Sequence, residues 1–222
     1  MKNSLFFFLL SFSLLINAQK MPLGFVYLSD IENTIQSELR YLGNHNFIGK
    51  PIDGYKNDCI IMTQQTATAL RKIQSILKKE GLGLKIFDAY RPQEAVDHFV
   101  KWAKALNDTL MKKEFYPKVS KSQLFFQGYI ASKSAHTRGS TIDLTLVKLK
   151  TGKELDMGSS FDFFGDESHP FYKKITKKQQ KNRLLLRKIM LENGFNPYDN
   201  EWWHFTLKNE PFHETYFNFP VE

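Results

Sequence analysis

This sequence has a single cysteine, Cys59, and one Cys cannot close an intramolecular disulfide. That scarcity also excludes a structural zinc site built on thiolates and leaves little support for a thiol protease. Cys59 lies in the apolar run "DCIIM", where a small buried hydrophobe is the simplest reading. No H-E-x-x-H helix occurs. There is no internal repeat, no low-complexity tract and no linker rich in Pro, Gly and Ser, so one continuous domain is expected. Only the N-terminal stretch "MKNSLFFFLLSFSLLINAQK" carries a long apolar run, and that run is too short for a comfortable permanent span of a bilayer.

That stretch reads as a secretory signal peptide covering residues 1–18. Lys2 gives it a positive start, an apolar segment follows from Leu5 to Ile16, and cleavage is expected after Ala18. No Cys follows that would take a lipid, so no stable membrane anchor is expected, and the location implied is the periplasm. The mature domain is then residues 19–222, enough for one domain with a proper core.

What is present is globular: 42% hydrophobic residues, 14% aromatic, with 20 Phe. The formal net charge is +8, falling to +7 once Lys2 is removed, but the lysines are spread out. Their one dense run, "KKITKKQQK", precedes a helix and reads as a solvated face. An exported chain also has little access to nucleic acid, so none is expected as a partner.

Leu70, Ile73 and Leu77 recur at helical spacing, and Gly81 stops that helix. "LGLKIFDAYRP" reads as a strand running into a loop at Pro92, and "PQEAVDHFVKWAKAL" as a second helix. Ile142, Leu144 and Leu146 alternate with Asp143 and Thr145, the pattern of a half-buried strand with one polar face. "NRLLLRKIMLENGF" is a third helix and "EWWHFTL" a short aromatic strand. Without a regular βαβ alternation, the expected class is α+β: a single domain with a small, largely antiparallel sheet packed by helices.

Three segments carry chemistry. In "SAHTRGSTID", His136 and Asp143 are donors suited to zinc, and a turn at Arg138-Gly139-Ser140 lets both face one site. Taken alone, the segment favours the plainer reading of a solvent-facing Asp143. In "EWWHF", the aromatics around Glu201 and His204 suggest a shielded pocket, and burial raises a carboxyl pKa toward the range of a general base. Taken alone, an aromatic core patch with a hydrogen-bonded histidine explains it too. Glu201 and His204 would face opposite ways in a regular strand, so Glu201 is expected at an irregular strand entry. Together, His136, Asp143 and His204 make a three-ligand catalytic zinc site with an open fourth position, and Glu201 supplies the base. In "FDAYRP", Arg91 leaves a strand end, where its fork can stabilise an oxyanion or clamp a carboxylate.

"SAHTRGSTIDLTL", "EWWHF" and "DAYRP" resemble the D-alanyl-D-alanine dipeptidases of the vancomycin-resistance type, zinc peptidases of the Hedgehog/DD-peptidase fold. "LRYLGNHNFIGKPIDGY", "MGSSFDFFGDESH" and "EPFHETYFNFPV" extend the likeness over roughly Leu23 to Val221. The resemblance implies one Zn2+ per chain on His136, Asp143 and His204, Glu201 as base, and Arg91 stabilising the transition state. It also implies that Ser134 lies near the substrate carboxylate, that Asp162 holds the substrate ammonium, and that Tyr41 lines the pocket. From its spacing alone Asp162 reads as a solvated loop residue. The implied substrate is the small peptide D-Ala-D-Ala, cut to two D-alanines in cell-wall turnover or salvage. The nearest rival is a zinc D,D-carboxypeptidase acting on peptidoglycan stem peptides, and a more distant one is a non-catalytic zinc protein that binds a wall peptide. The signal peptide departs from the family pattern, because the resistance enzymes are typically cytoplasmic.

Overall fold

The computed structural model describes residues 21–222, and the signal-peptide segment 1–18 lies outside the described residues. In chain order the strands are β1 (Phe25–Tyr27), β2 (Gln36–Ser37), β3 (Ile61–Thr63), β4 (Leu82–Asp88), β5 (Thr141–Lys148), β6 (Phe195–Tyr198) and β7 (Glu201–Leu207). The helices are α1 (Leu28–Ile31), α2 (Gln64–Lys78), α3 (Gln93–Lys104), α4 (Lys112–Phe115) and α5 (Lys177–Glu192). β1 and β3 form a small antiparallel pair, while a five-stranded sheet runs in the order β2-β4-β5-β7-β6. Only the edge pairing of β2 with β4 is parallel in that sheet. The fold is thus α+β with a largely antiparallel sheet, as the sequence pattern implied. Among the described residues no helix is long and apolar enough to cross a membrane.

Helix α2 forms because Leu70, Ile73 and Leu77 fall on one stripe, and all three are buried against the sheet. Helix α3 starts directly after Pro92 and buries Phe99, Trp102 and Ala103. Helix α5 starts earlier than its apolar residues suggest. Thr176 Oγ1 accepts from the Gln179 amide at 3.2 Å while Gln179 Oε1 accepts from the Thr176 amide at 2.8 Å, a reciprocal cap. The dense lysine run therefore straddles the start of α5: Lys173 and Lys174 precede it, and Lys177, Lys178 and Lys181 lie in its first turns.

One expectation for β5 is corrected. It is buried from Thr141 through Val147, on both faces, and not half-exposed. It sits in the middle of the sheet, so Asp143 and Thr145 point into the protein and not into water. Cys59 is half-buried beside the apolar core.

Gly139 makes the connection from the turn that bears His136 to β5. Its φ is +82°, and a Cβ there would lie 2.2 Å from Cε1 of Phe25. Left-handed backbone costs a non-glycine residue about 1–2 kcal/mol, and overpacking adds about 1–3 kcal/mol. Gly194, at φ +91° with nothing within 4 Å of its would-be Cβ, isolates the backbone part. In urea denaturation, Gly139→Ala is expected to lose clearly more stability than Gly194→Ala; equal losses would mean that Phe25 yields freely.

Candidate metal centre and active site

Two strand pairings bring the chemistry together. Asp143 stands opposite His204 across β5 and β7, and residues opposite in an antiparallel pair project from the same face. Asp88, at the end of β4, stands opposite Asp143 on its other side, after an irregularity that shifts the register past Ile86. His136 arrives from a short 3-10 turn, Ala135–Arg138, whose first amides are capped by Ser134: its Oγ accepts from the His136 amide at 3.3 Å.

His136 Nδ1 lies 2.8 Å from the carbonyl oxygen of Ala89. A carbonyl only accepts, so Nδ1 carries the proton and Nε2 offers its lone pair to the site. Nε2 lies 3.3 Å from Asp143 Oδ2 and 3.3 Å from His204 Nδ1, and His204 Nδ1 lies 3.0 Å from Asp143 Oδ1. One donor atom from each of the three residues falls within 4.8 Å of the other two. Asp143 is only 2% exposed. Burial works against its charge, but His136 and His204 outweigh it and hold its carboxyl well below the usual range. Burial pushes His136 down, whereas His204 is raised: burial opposes its charge, and the hydrogen bond and charge of Asp143 overcome that.

Glu201 is the first residue of β7, where the pairing with β6 shifts between Pro197 and Tyr198. This is the irregular strand entry expected for Glu201. Its Oε2 lies 3.5 Å from His204 Nδ1, beside the triad and not part of it. Burial raises its carboxyl, with the Asp143 charge adding and His204 opposing, to about 7.

Arg91 is held from below by Asp88, a residue that the sequence motifs did not single out. Arg91 Nε donates to Asp88 Oδ2 at 2.9 Å and Nη2 lies 2.8 Å from the same oxygen. Tyr55 donates to the other oxygen, Oδ1, at 2.7 Å. Asp88 is fully buried, and its Oδ2 lies 3.6 Å from His136 Nδ1. The guanidinium of Arg91 lies 3.6 Å from Asp143 Oδ2, 5.1 Å from the Tyr41 ring centre and 3.5 Å from Ser134 Oγ. A carboxylate flanked by Phe87 and Ala89, three residues before an arginine, was the available signal for Asp88.

Asp162 is 7% exposed, so its reading as a solvated residue does not hold. Tyr41, itself buried, donates to its Oδ2 at 2.8 Å. Its φ of +59° is the one left-handed backbone outside glycine among the described residues. Burial, followed by the charge of Asp143, pushes its carboxyl well above the usual range. Such strain persists only where the surroundings impose it, and it clusters at functional sites.

All eight residues singled out from the sequence line one cleft of about 410 Å³: Tyr41, Arg91, Ser134, His136, Asp143, Asp162, Glu201 and His204. Tyr129 and Tyr198 add aromatic walls that no motif signalled, and Phe164 joins them; Tyr129 stacks on Phe164 at 4.9 Å, and Tyr198 packs 5.5 Å from the His204 ring. Charge balance then tests the metal. Asp88, Asp143, Asp162 and Glu201 are four acids in or beneath the cleft; the half-buried guanidinium of Arg91 answers one of them, and Lys133 stands only at the exposed rim. Burial already pushes Asp162 well above the usual range and Glu201 to about 7, so these acids ionise together only beside added positive charges. A divalent ion at the triad supplies them, and two imidazoles with one carboxylate fit a catalytic zinc site with three protein ligands, down to the carbonyl behind His136.

The D-ala-D-ala dipeptidase family model matches residues 21–222. The chain belongs to that family. Among curated relatives, a D-alanyl-D-alanine dipeptidase of Enterococcus faecalis is 45% identical over 90% of this chain and the whole of that protein. One from Enterococcus faecium is 41% identical over 91% of this chain and again all of that protein. One from Escherichia coli is 36% identical over 78% of this chain and 79% of its own length. Among solved structures, a vancomycin resistance D,D-pentapeptidase in complex with Zn(II) shows a weak likeness, with 12% identity, a TM-score of 0.41, and coverage of 70% of this chain and 77% of that one.

Proposed function

We propose that the protein is a zinc-dependent dipeptidase that hydrolyses D-Ala-D-Ala to two D-alanines. The observation that carries this reading is one confined cleft holding the triad, a half-buried base and a buried acid with no cation of its own, Asp162. The family and the curated dipeptidases that match nearly the whole chain support it.

His136, Asp143 and His204 would hold one zinc, which when bound lowers the pKa of a water molecule and polarises the scissile carbonyl. Glu201, with its carboxyl near 7, takes a proton from the attacking water and returns it to the leaving amine. Arg91, fixed by Asp88 and facing the cleft, stabilises the negative charge that develops on the carbonyl oxygen. Ser134, beside Arg91, is placed to meet the substrate carboxylate, and Tyr41 fixes the carboxyl of Asp162.

Asp162 separates this reading from a D,D-carboxypeptidase. A free dipeptide carries an ammonium next to the scissile bond, and in a confined cleft that charge needs a partner. An ammonium arriving at Asp162 would restore its ionised form and relieve the burial that now opposes it. N-acetyl-D-Ala-D-Ala is therefore expected to be cut far more slowly than the free dipeptide, and Asp162→Asn to narrow that gap by losing activity on the free one. Steady-state kinetics on both substrates decide it. Equal cleavage by the wild type would move the assignment to the carboxypeptidase, where an upstream chain must be accommodated.

The leader-like residues 1–18 precede the stretch matched by the family and support action outside the cytoplasm, in the periplasm. There the enzyme would salvage D-alanine from wall turnover. Fractionation of cells expressing the full chain tests this, and a wholly cytoplasmic, uncleaved product would refute it.

A further inference from the structure

Arg183, on α5, is 1% exposed, and its partners are three backbone carbonyls and a hydroxyl. Nε donates to the carbonyl of Met157 at 2.5 Å, Nη1 to that of His169 at 2.7 Å, and Nη2 to that of Glu167 at 2.8 Å and to Ser159 Oγ at 3.3 Å. All four acceptors belong to the segment 157–169, two on each side of Asp162. One guanidinium therefore clips together both ends of the loop that carries Asp162. Desolvating a cation this far is unfavourable, and burial lowers its pKa to about 10 even with the charge of Asp156 opposing.

Two further contacts tie the clip to the active site. Ser159 Oγ also accepts from Trp202 Nε1 at 2.9 Å, and Trp202 adjoins Glu201 on β7. Within the loop, the Phe164 amide donates to the carbonyl of Phe115 at 2.7 Å and Phe161 stacks on Phe87 at 4.8 Å. Asp162, between them, has left-handed backbone, a conformation it keeps only if the loop ends cannot relax.

We infer that Arg183 is a positioning residue for substrate binding: by clipping segment 157–169 it holds Asp162 where the ammonium of a free dipeptide must sit. This rests on the assignment of Asp162 as the ammonium anchor. Arg183 touches no substrate and acts through that one acid. Its loss should therefore weaken capture of the ammonium more than it slows chemistry at the triad and Glu201.

The test uses the full mature chain loaded with zinc, as wild type, Arg183→Met and Arg183→Lys, with kcat and KM measured on D-Ala-D-Ala and on its N-acetyl derivative. Zinc content and circular dichroism are followed alongside. Since a 1 Å misplacement can cost about a hundredfold, the expected rise in KM for the free dipeptide is about tenfold in Arg183→Met, with kcat within about threefold and the acetylated substrate little changed. Lysine keeps the charge but reaches fewer of the four acceptors, so Arg183→Lys should fall between the two and rescue part of the preference. A folded variant that keeps the wild-type preference overturns the inference, as does a loss that falls equally on both substrates, which marks a purely structural arginine. If Arg183→Met does not fold, Arg183→Lys decides by the same two criteria. A wild type without preference for the free dipeptide refutes the anchor and the inference with it; a wild-type preference that survives in both variants refutes the inference alone.

Discussion

Replacing Glu201 by alanine is expected to lower kcat by about 10²–10⁴-fold, the range for a general base, while the zinc content per chain stays that of the wild type. The two readouts separate because Glu201 stands beside the triad and not in it. Its carboxyl, near 7, sits where a base both accepts a proton from an activated water and gives it up to an amine. Burial sets that value, and the burial follows from local structure: Glu201 enters β7 at a shifted register, which turns its side chain into the cleft alongside His204. Glu201→Gln keeps the shape and should be as inactive as the alanine variant. Turnover within about tenfold of wild type in either variant would remove the base assignment, and loss of zinc in both would recast Glu201 as a ligand.

How far the site was legible depended on the range of the interactions involved. The alternation around Asp143 fixed a strand and Gly139 supplied the turn before it, but that segment alone favoured a solvent-facing Asp143, and only His204 and Glu201 beside it turned the reading toward a metal site. What could not be read was that β5 lies in the middle of the sheet, because burial on both faces depends on β4 and β7, whose paired residues lie 55–66 positions before and 61–65 positions after. Asp88 was passed over for the same reason: its partners Tyr55 and His136 are 33 and 48 positions distant, and nothing in "FDAYRP" names them. Asp162 shows the limit most clearly. Among phenylalanines it reads as a loop acid, and the partner that meets it in the interior, Tyr41, lies 121 residues earlier. The resemblance pointed to the pocket, which Asp162 lines, where spacing pointed to solvent. The start of α5 was missed because the lysine run hides a cap made by Thr176 and Gln179.

Metal removal is expected to destabilise the protein as well as silence it. At the triad, Asp143 is 2% exposed and strongly ionised, and four acids, two of them with carboxyls pushed up chiefly by burial, share the region with one half-buried guanidinium. Zinc on His136, Asp143 and His204 would relieve that excess, so its binding free energy becomes part of the folding free energy. At free zinc about a thousand times the dissociation constant, the linkage contributes about 4 kcal/mol. For a domain of this size each 1 kcal/mol moves Tm by about 2–4 °C, so chelation should lower Tm by roughly 8–16 °C. His136→Ala and His204→Ala each remove one of three donors and should hold little zinc, show no activity, and have a Tm indifferent to chelator. His136→Ala carries a second consequence, since it also frees the carbonyl of Ala89, which now fixes the imidazole tautomer. Its apo form should therefore be less stable than apo wild type, by about 1–3 kcal/mol for a buried acceptor left unpaired. Calorimetric scans with and without chelator, paired with metal analysis, check all of this. A wild-type Tm unmoved by chelation, or full zinc occupancy in both histidine variants, would show that the triad is not the metal site.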